Sequence, residues 1–252
     1  MKVLLWKEML EQWRSYRMLA VAAVLVVMGI LGPLTARYMN ELMASIPGTP
    51  EGLEAVLPKP TVDLAVAELV DNLAQFGLIL ALLVPMASVV GEKTSGTAAL
   101  TLSKPVSRGA FLLAKLLALL VTFAIGIGLG VAAGYAYTGM LFTWLPLPGF
   151  LVLACGLLLY LLFYSSLALL ASTLMRSQLA AAGLAFGLAI LLGLLGTLPA
   201  ISAYLPASLL GWGRVAANGL VVETPWKALA AALVLIPSLL LAGWAALRRQ
   251  EL

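Results

Sequence analysis

Six uninterrupted apolar runs, at about 18–38, 72–90, 110–138, 149–174, 178–198 and 227–247, dominate this chain of 252 residues. Each is close to the roughly 20 residues a helix needs to cross the hydrocarbon core of a bilayer. A spanning β-barrel would show ten-residue segments of alternating polarity, whereas these runs are continuous. A soluble fold would have to bury them, yet 63% of the residues are hydrophobic and only 10% are charged. That is far below the charge content of a soluble domain, and no fold of this size hides so much apolar surface. The expected fold class is an all-α integral membrane protein with six transmembrane helices, forming a single domain over residues 1–252.

Basic residues set the orientation. Lys2, Lys7, Arg14, Arg17, Lys93, Lys104, Arg108, Lys115, Arg176, Arg248 and Arg249 fall on one side of the spans; Arg37, Lys59, Arg214 and Lys227 fall on the other. The first side is expected to face the cytoplasm, with both termini inside. The same asymmetry accounts for the net charge of +4, so nucleic acid is not an expected partner. The chain has no histidine and one cysteine, Cys155, inside an apolar run and expected to pack there. No metal or redox centre is expected from such a set. Charged residues precede the first run and no small-residue cleavage pattern follows it, so it reads as a retained span rather than a signal peptide.

The segments between the runs differ in character. In MKVLLWKEMLEQWRSYR, residues 1–17, Leu5, Trp6, Met9, Leu10, Trp13 and Tyr16 recur at helical spacing, while Lys2, Lys7, Glu8, Glu11 and Arg14 fall largely on another face. This predicts an amphipathic helix in the inner headgroup plane, anchored by its tryptophans. Residues 39–71 hold six acidic residues and four prolines and read as a loop on the other side, with 61–71 able to extend the second span. Gly126, Gly130 and Gly134 make a small-residue ridge on the third span, and Gly183 with Gly187 a shorter one on the fifth. The sequence MRSQ leaves room only for a tight hairpin between the fourth and fifth spans. The stretch from Thr197 to Trp226 is apolar but broken by proline and glycine, which predicts short helices dipping into the outer leaflet.

The most polar stretch in the middle of the chain is GEKTSGTAALTLSKPVSR, residues 91–108. A phosphate-cradling loop requires G-x-x-x-x-G-K-[ST]. Here Glu92 separates Gly91 from Lys93, and Ala87 stands where the first glycine is needed. The stretch instead predicts a short helix on the cytoplasmic face, with Thr94 or Ser95 as N-cap and Pro105 as its end. Ser107 is placed to cap the third span, and Lys115 to reach back toward the inner headgroups.

This stretch resembles the cytoplasmic loop of ABC-2 type ABC transporter permeases. That pattern is an acidic residue, a GT pair, a leucine-rich turn and PVSR before the third span. Glu92, Gly96, Thr97, Leu100, Leu102, Pro105, Val106, Ser107 and Arg108 fall in register with it. LLWKEMLEQWRSYR looks like the family's N-terminal connecting helix, and YLPASLLGW like its broken outer segment. The layout is also similar to that of the permease of the nitrous oxide reductase maturation transporter, and to many export permeases.

The resemblance implies a half-transporter that pairs with a second permease copy, like or unlike, in a bacterial or archaeal plasma membrane. A separate cytosolic ABC ATPase would dock on the short coupling helix, bringing ATP and Mg; no cofactor is expected in this chain. The docking set would be Glu92, Lys93, Thr94, Ser95, Gly96, Thr97, Leu100, Leu102, Lys104, Pro105 and Arg108. Within it, Glu92 would make a charged or capping contact and Gly96 would permit close approach. Thr97, Leu100 and Leu102 would fill a groove, and Arg108 would anchor the end. Asn72, Gln75, Tyr135 and Tyr164 are candidates for a substrate pathway lined between spans.

Two other functions compete. A mechanotransmission or assembly component would use ATPase strokes without passing a substrate. An intramembrane enzyme would need activated groups within the spans. The spans offer Tyr135, Tyr160, Tyr164, Ser165, Ser166, Ser172 and Thr173, but no histidine or carboxylate to activate them.

Overall fold

The computed structural model describes residues 2–44, 59–97 and 107–250. Among these residues the chain is helical throughout, without strands. The helices are α1 (Lys2–Arg14), α2 (Arg17–Ala44), α3 (Val62–Met86), α4 (Val90–Thr94) and α5 (Arg108–Leu141). They continue with α6 (Leu147–Leu174), α7 (Gln178–Leu195), α8 (Pro199–Ser202), α9 (Ser208–Ala217) and α10 (Trp226–Arg248). Six are long and apolar enough to cross a membrane: α2, α3 with its continuation into α4, α5, α6, α7 and α10.

The spans match the apolar runs, with one large shift. α3 starts at Val62, so residues 62–71 do extend the second span beyond its apolar run, as the sequence allowed. Thr61 caps it, its Oγ1 accepting from the Leu64 N–H at 3.2 Å. Hydropathy reports where lipid begins, and a helix can leave the lipid without ending. At the tip of α3 farthest from the junction with α4, Asp63 accepts from Asn218 at 2.9 Å and pairs with Arg214 at 3.3 Å, tying the start of α3 to α9.

α6 is the hub. Its leucine-rich surface packs against α3, α5, α7, α9 and α10, and Leu153, Leu157, Leu161 and Ala168 are fully buried. α2 packs against α5 and α3 through close backbone approach. A Cβ at Gly29 would collide with the Gly130 carbonyl, and one at Gly130 would lie 2.7 Å from the Leu25 carbonyl oxygen. The predicted ridge at Gly126, Gly130 and Gly134 is therefore the contact surface for α2. The ridge predicted at Gly183 and Gly187 is not used this way. Both glycines face outward with open space around them, and α7 instead buries Ala181, Ala185 and Ala189. Cys155 likewise faces outward from α6 rather than packing inside.

The broken stretch before the last span forms α8 and α9. α9 buries Leu209, Gly213 and Ala217 against α6, covering irregular backbone with protein as lipid depth requires.

α1 ends at Arg14, and Tyr16 takes φ 58° at the bend into α2. The protein-facing side of α1 is Leu4, Glu8 and Gln12, whereas Trp6 and Trp13 face outward at 71% and 65% exposure. Glu8 was expected on the solvated face. It turns inward because a buried lysine waits for it there.

Candidate coupling site

Five helices converge at the basic end of the bundle, around the segment that leads out of α3. α3 carries Pro85 in its last turn and stops at Met86. α4 then begins without a side-chain cap of its own. The cap comes from another helix: the buried Ser172 Oγ of α6 accepts from the backbone N–H groups of both Val89 and Val90, each at 3.1 Å. Two donors that α4 would otherwise leave unpaired are satisfied by one hydroxyl.

Glu92 and Lys115 lie within this junction. The Lys115 ammonium donates to Glu92 at 2.7 Å and to Glu8 at 3.0 and 3.2 Å, with its charge 4.8 Å from the Phe111 ring centroid. Lys115 is 2% exposed, so it does not reach the headgroups as its sequence position suggested. Eight residues into α5, its ammonium finds carboxylates closer than water. Lys7 closes the cluster from α1, donating to Glu92 at 2.8 Å and to Glu8 at 3.2 Å, and lying 3.8 Å from Glu11. Burial works against the Lys7 charge, but its bonds to Glu92 and Glu8 outweigh that cost and hold the ammonium above its ordinary range. The carboxylates of Glu8, Glu11 and Glu92 come within 4.8 Å of one another. The cations that balance them are Lys7 and Lys115, side chains of the protein itself.

Two other predicted docking cations are also engaged within the protein. Lys93 donates to the carbonyls of Thr173 at 2.8 Å and Met175 at 3.2 Å, and to Gln250 at 3.1 Å. Gln250 in turn donates to the Thr173 carbonyl at 3.1 Å. Arg108 donates to the Leu247 carbonyl and, at 3.1 Å, to the Gln250 carbonyl. Each cation thus neutralises the negative end of a helix dipole, α6 for Lys93 and α10 for Arg108.

Thr94, Ser95, Gly96 and Thr97 are exposed. Ser95 is the C-cap of α4 rather than the N-cap of a helix beginning there. Gly96 stops α4 with φ 73°, a left-handed conformation suited to glycine after a helix. Ser107 caps α5 as expected, accepting from the Ala110 N–H at 3.2 Å. Leu100, Leu102, Lys104 and Pro105 lie outside the described residues.

The four pathway candidates are separated. Tyr135 donates to the Leu145 carbonyl at 3.3 Å near the far end of α5, with its ring edge-on to Trp144 and Phe150. Tyr164 is buried in the basic half of α6 against Tyr160 and Phe163. Asn72 is half-buried and Gln75 exposed on α3. Among the other span hydroxyls, Ser166 and Thr173 donate to carbonyls one turn back in α6, at 2.7 and 2.9 Å, whereas the Ser165 hydroxyl is buried without a partner among the described residues.

The residues that sequence reading missed are Glu8, Lys7, Ser172 and Gln250. One signal was present. Lys115 and Glu92 are ionisable groups beside or inside apolar runs, and such groups require partners.

Comparison with known proteins agrees with this architecture. A family model described as ABC-2 family transporter protein matches residues 2–208, from the start of α1 into α9. The uncharacterized transmembrane protein YxlG of Bacillus subtilis (strain 168) is 28% identical over 188 residues, covering 75% of this chain and 73% of that protein.

Proposed function

Since the chain belongs to the ABC-2 family of transporter proteins, we propose that it is the membrane-spanning permease subunit of an ATP-driven exporter, moved by a separate cytosolic ABC ATPase. In this reading the basic end is cytoplasmic, following the positive-inside distribution. ATP and Mg belong to the ATPase, and a second permease copy completes the transporter.

The observation that carries the proposal is the anchoring of the docking strip. A handle that transmits force must be exposed on one side and rigidly tied on the other. Thr94 to Thr97 supply the exposed edge, continuing into the segment that holds Leu100, Leu102, Lys104 and Pro105. Glu92 ties the strip to α1 and α5, Ser172 and Lys93 tie it to α6, and Arg108 ties its far end to α10. A displacement of the strip would therefore move four helices together, and packed helices respond to such a push by switching between discrete arrangements. Glu92, Lys93 and Arg108 serve in this reading as tethers, and the threonine and leucine side chains as the docking surface.

A second reading keeps the ATPase and drops the translocated substrate. The separation of Tyr135 from Tyr164, each occupied by packing contacts, favours it over a path lined by those residues.

The test is co-purification. Leu100→Asp should abolish recovery of the ATPase while membrane insertion stays normal; unchanged recovery would refute docking at this strip. Mass spectrometry of the intact complex identifies the ATPase and any bound small molecule. Glycosylation mapping that placed residue 95 outside the cell would overturn the orientation.

A further inference from the structure

A groove of about 570 Å³ runs between the first turns of α5 and the stretch of α10 from Pro237 to Trp244. Its walls are Gly109, Leu112, Leu113, Pro237, Leu240 and Trp244, and Ser107 contributes its one hydroxyl. Leu113 at its edge is 41% exposed and Leu241 62%, so the groove opens outward from the bundle. Water would find almost no hydrogen-bonding partner there, and on a membrane-embedded surface the adjacent medium is acyl chain.

The basic end of the groove is charged. Trp244, part of the wall, carries the Arg248 guanidinium over its ring at 4.8 Å. Arg248 and its neighbour Arg249 are both exposed, and neither makes an ion pair with a described residue. An apolar slot whose wall tryptophan carries an exposed guanidinium, with a second exposed arginine next in the chain and neither in an ion pair with a described residue, has the polarity profile of a phospholipid with a negative headgroup.

We propose that this groove binds an anionic phospholipid, with an acyl chain along Leu112, Leu240 and Trp244 and its phosphate on Arg248 and Arg249. The charge selects the headgroup class, because a zwitterionic lipid offers the arginines no net negative charge. The groove is lined by Ser107 and Gly109, so a bound lipid would sit at the first turn of α5, where the docking strip enters that helix. The binding claim rests on the groove and its charge alone and stands apart from the assignment of an ATPase partner.

Purified full-length protein in non-ionic detergent, supplied with phosphatidylglycerol and phosphatidylcholine of identical chains, tests this by native mass spectrometry. Phosphatidylglycerol should be retained roughly twenty-five-fold more strongly, at about fivefold per arginine. Arg248→Gln combined with Arg249→Gln should erase the preference without changing the oligomeric state. A Cβ on Gly109 would sit 3.5 Å from Trp244, an ordinary contact, so Gly109→Leu should fill the groove without unfolding the protein and reduce retention of both lipids. Equal retention of the two lipids, or a preference that survives the double substitution, overturns the proposal. So does a Gly109→Leu variant that keeps its lipid and instead loses a dimer, which would make the groove an interface between copies.

Discussion

The Lys115 ammonium sits 2.7 Å from the Glu92 carboxylate, joining the first third of α5 to the segment that leaves α3. Both groups are buried, and Glu8 of α1 completes the site at 3.0 Å. An ion cluster of this kind contributes little net stability over an apolar replacement, but removing Lys115 leaves the buried Glu8 and Glu92 carboxylates with only the half-exposed Lys7 to balance them.

Lys115→Met should therefore destabilise the protein by about 3–5 kcal/mol. Adding Glu8→Gln and Glu92→Gln to it should recover most of that loss. Thermal unfolding in detergent, compared across the three proteins, reads the difference. Equal destabilisation in the single and triple variants would show that shape rather than charge holds the junction.

Ser172→Ala strands two backbone N–H groups, on Val89 and Val90, inside the bundle. The expected cost is about 1–3 kcal/mol. Hydrogen exchange should rise locally over residues 87–94 while α6 itself stays protected. Ser172→Thr keeps the acceptor oxygen and should retain more protection than alanine.

The two glycine ridges should respond with opposite signs. Gly130→Ala drives a methyl into the α2 backbone and should cost up to about 3 kcal/mol. Gly183→Ala meets nothing within 4 Å and should be neutral or stabilising by up to about 1 kcal/mol. Melting temperatures of the two purified variants decide the matter.

If the strip docks an ATPase as proposed, tether and dock are separable. Glu92→Gln removes the charge that links the strip to α1 and α5 but leaves the exposed edge intact. It should retain the ATPase on purification and lower ATP-driven activity severalfold. Leu100→Asp should instead lose the ATPase itself. If Glu92→Gln also releases the ATPase, its carboxylate acts in docking directly.

Much of the architecture could be read from local pattern. Run length gave the six spans, and Thr197–Trp226 was broken by enough proline and glycine to exclude a span. The extension of α3 back to Val62 was legible as an option at residues 61–71, but hydropathy alone could not choose it, because Asp63, Glu68 and Asp71 suit a loop and a helix outside lipid equally well. The ion cluster was beyond any periodicity rule, since Glu8 and Lys115 are 107 positions apart. Lys93 and Arg108 were recognised as important, but sequence spacing cannot show that their charges would be consumed by the ends of α6 and α10.

The pairing of Glu8 with Lys115 also bears on how the protein is made. The N-terminal helix leaves the ribosome before the partner that neutralises its carboxylate has been synthesised. Until the third span reaches the translocon, Glu8 has no reason to leave the aqueous side. α1 can settle into its final seat only after the following 107 residues have been made, so a helix translated before α5 is fixed after it.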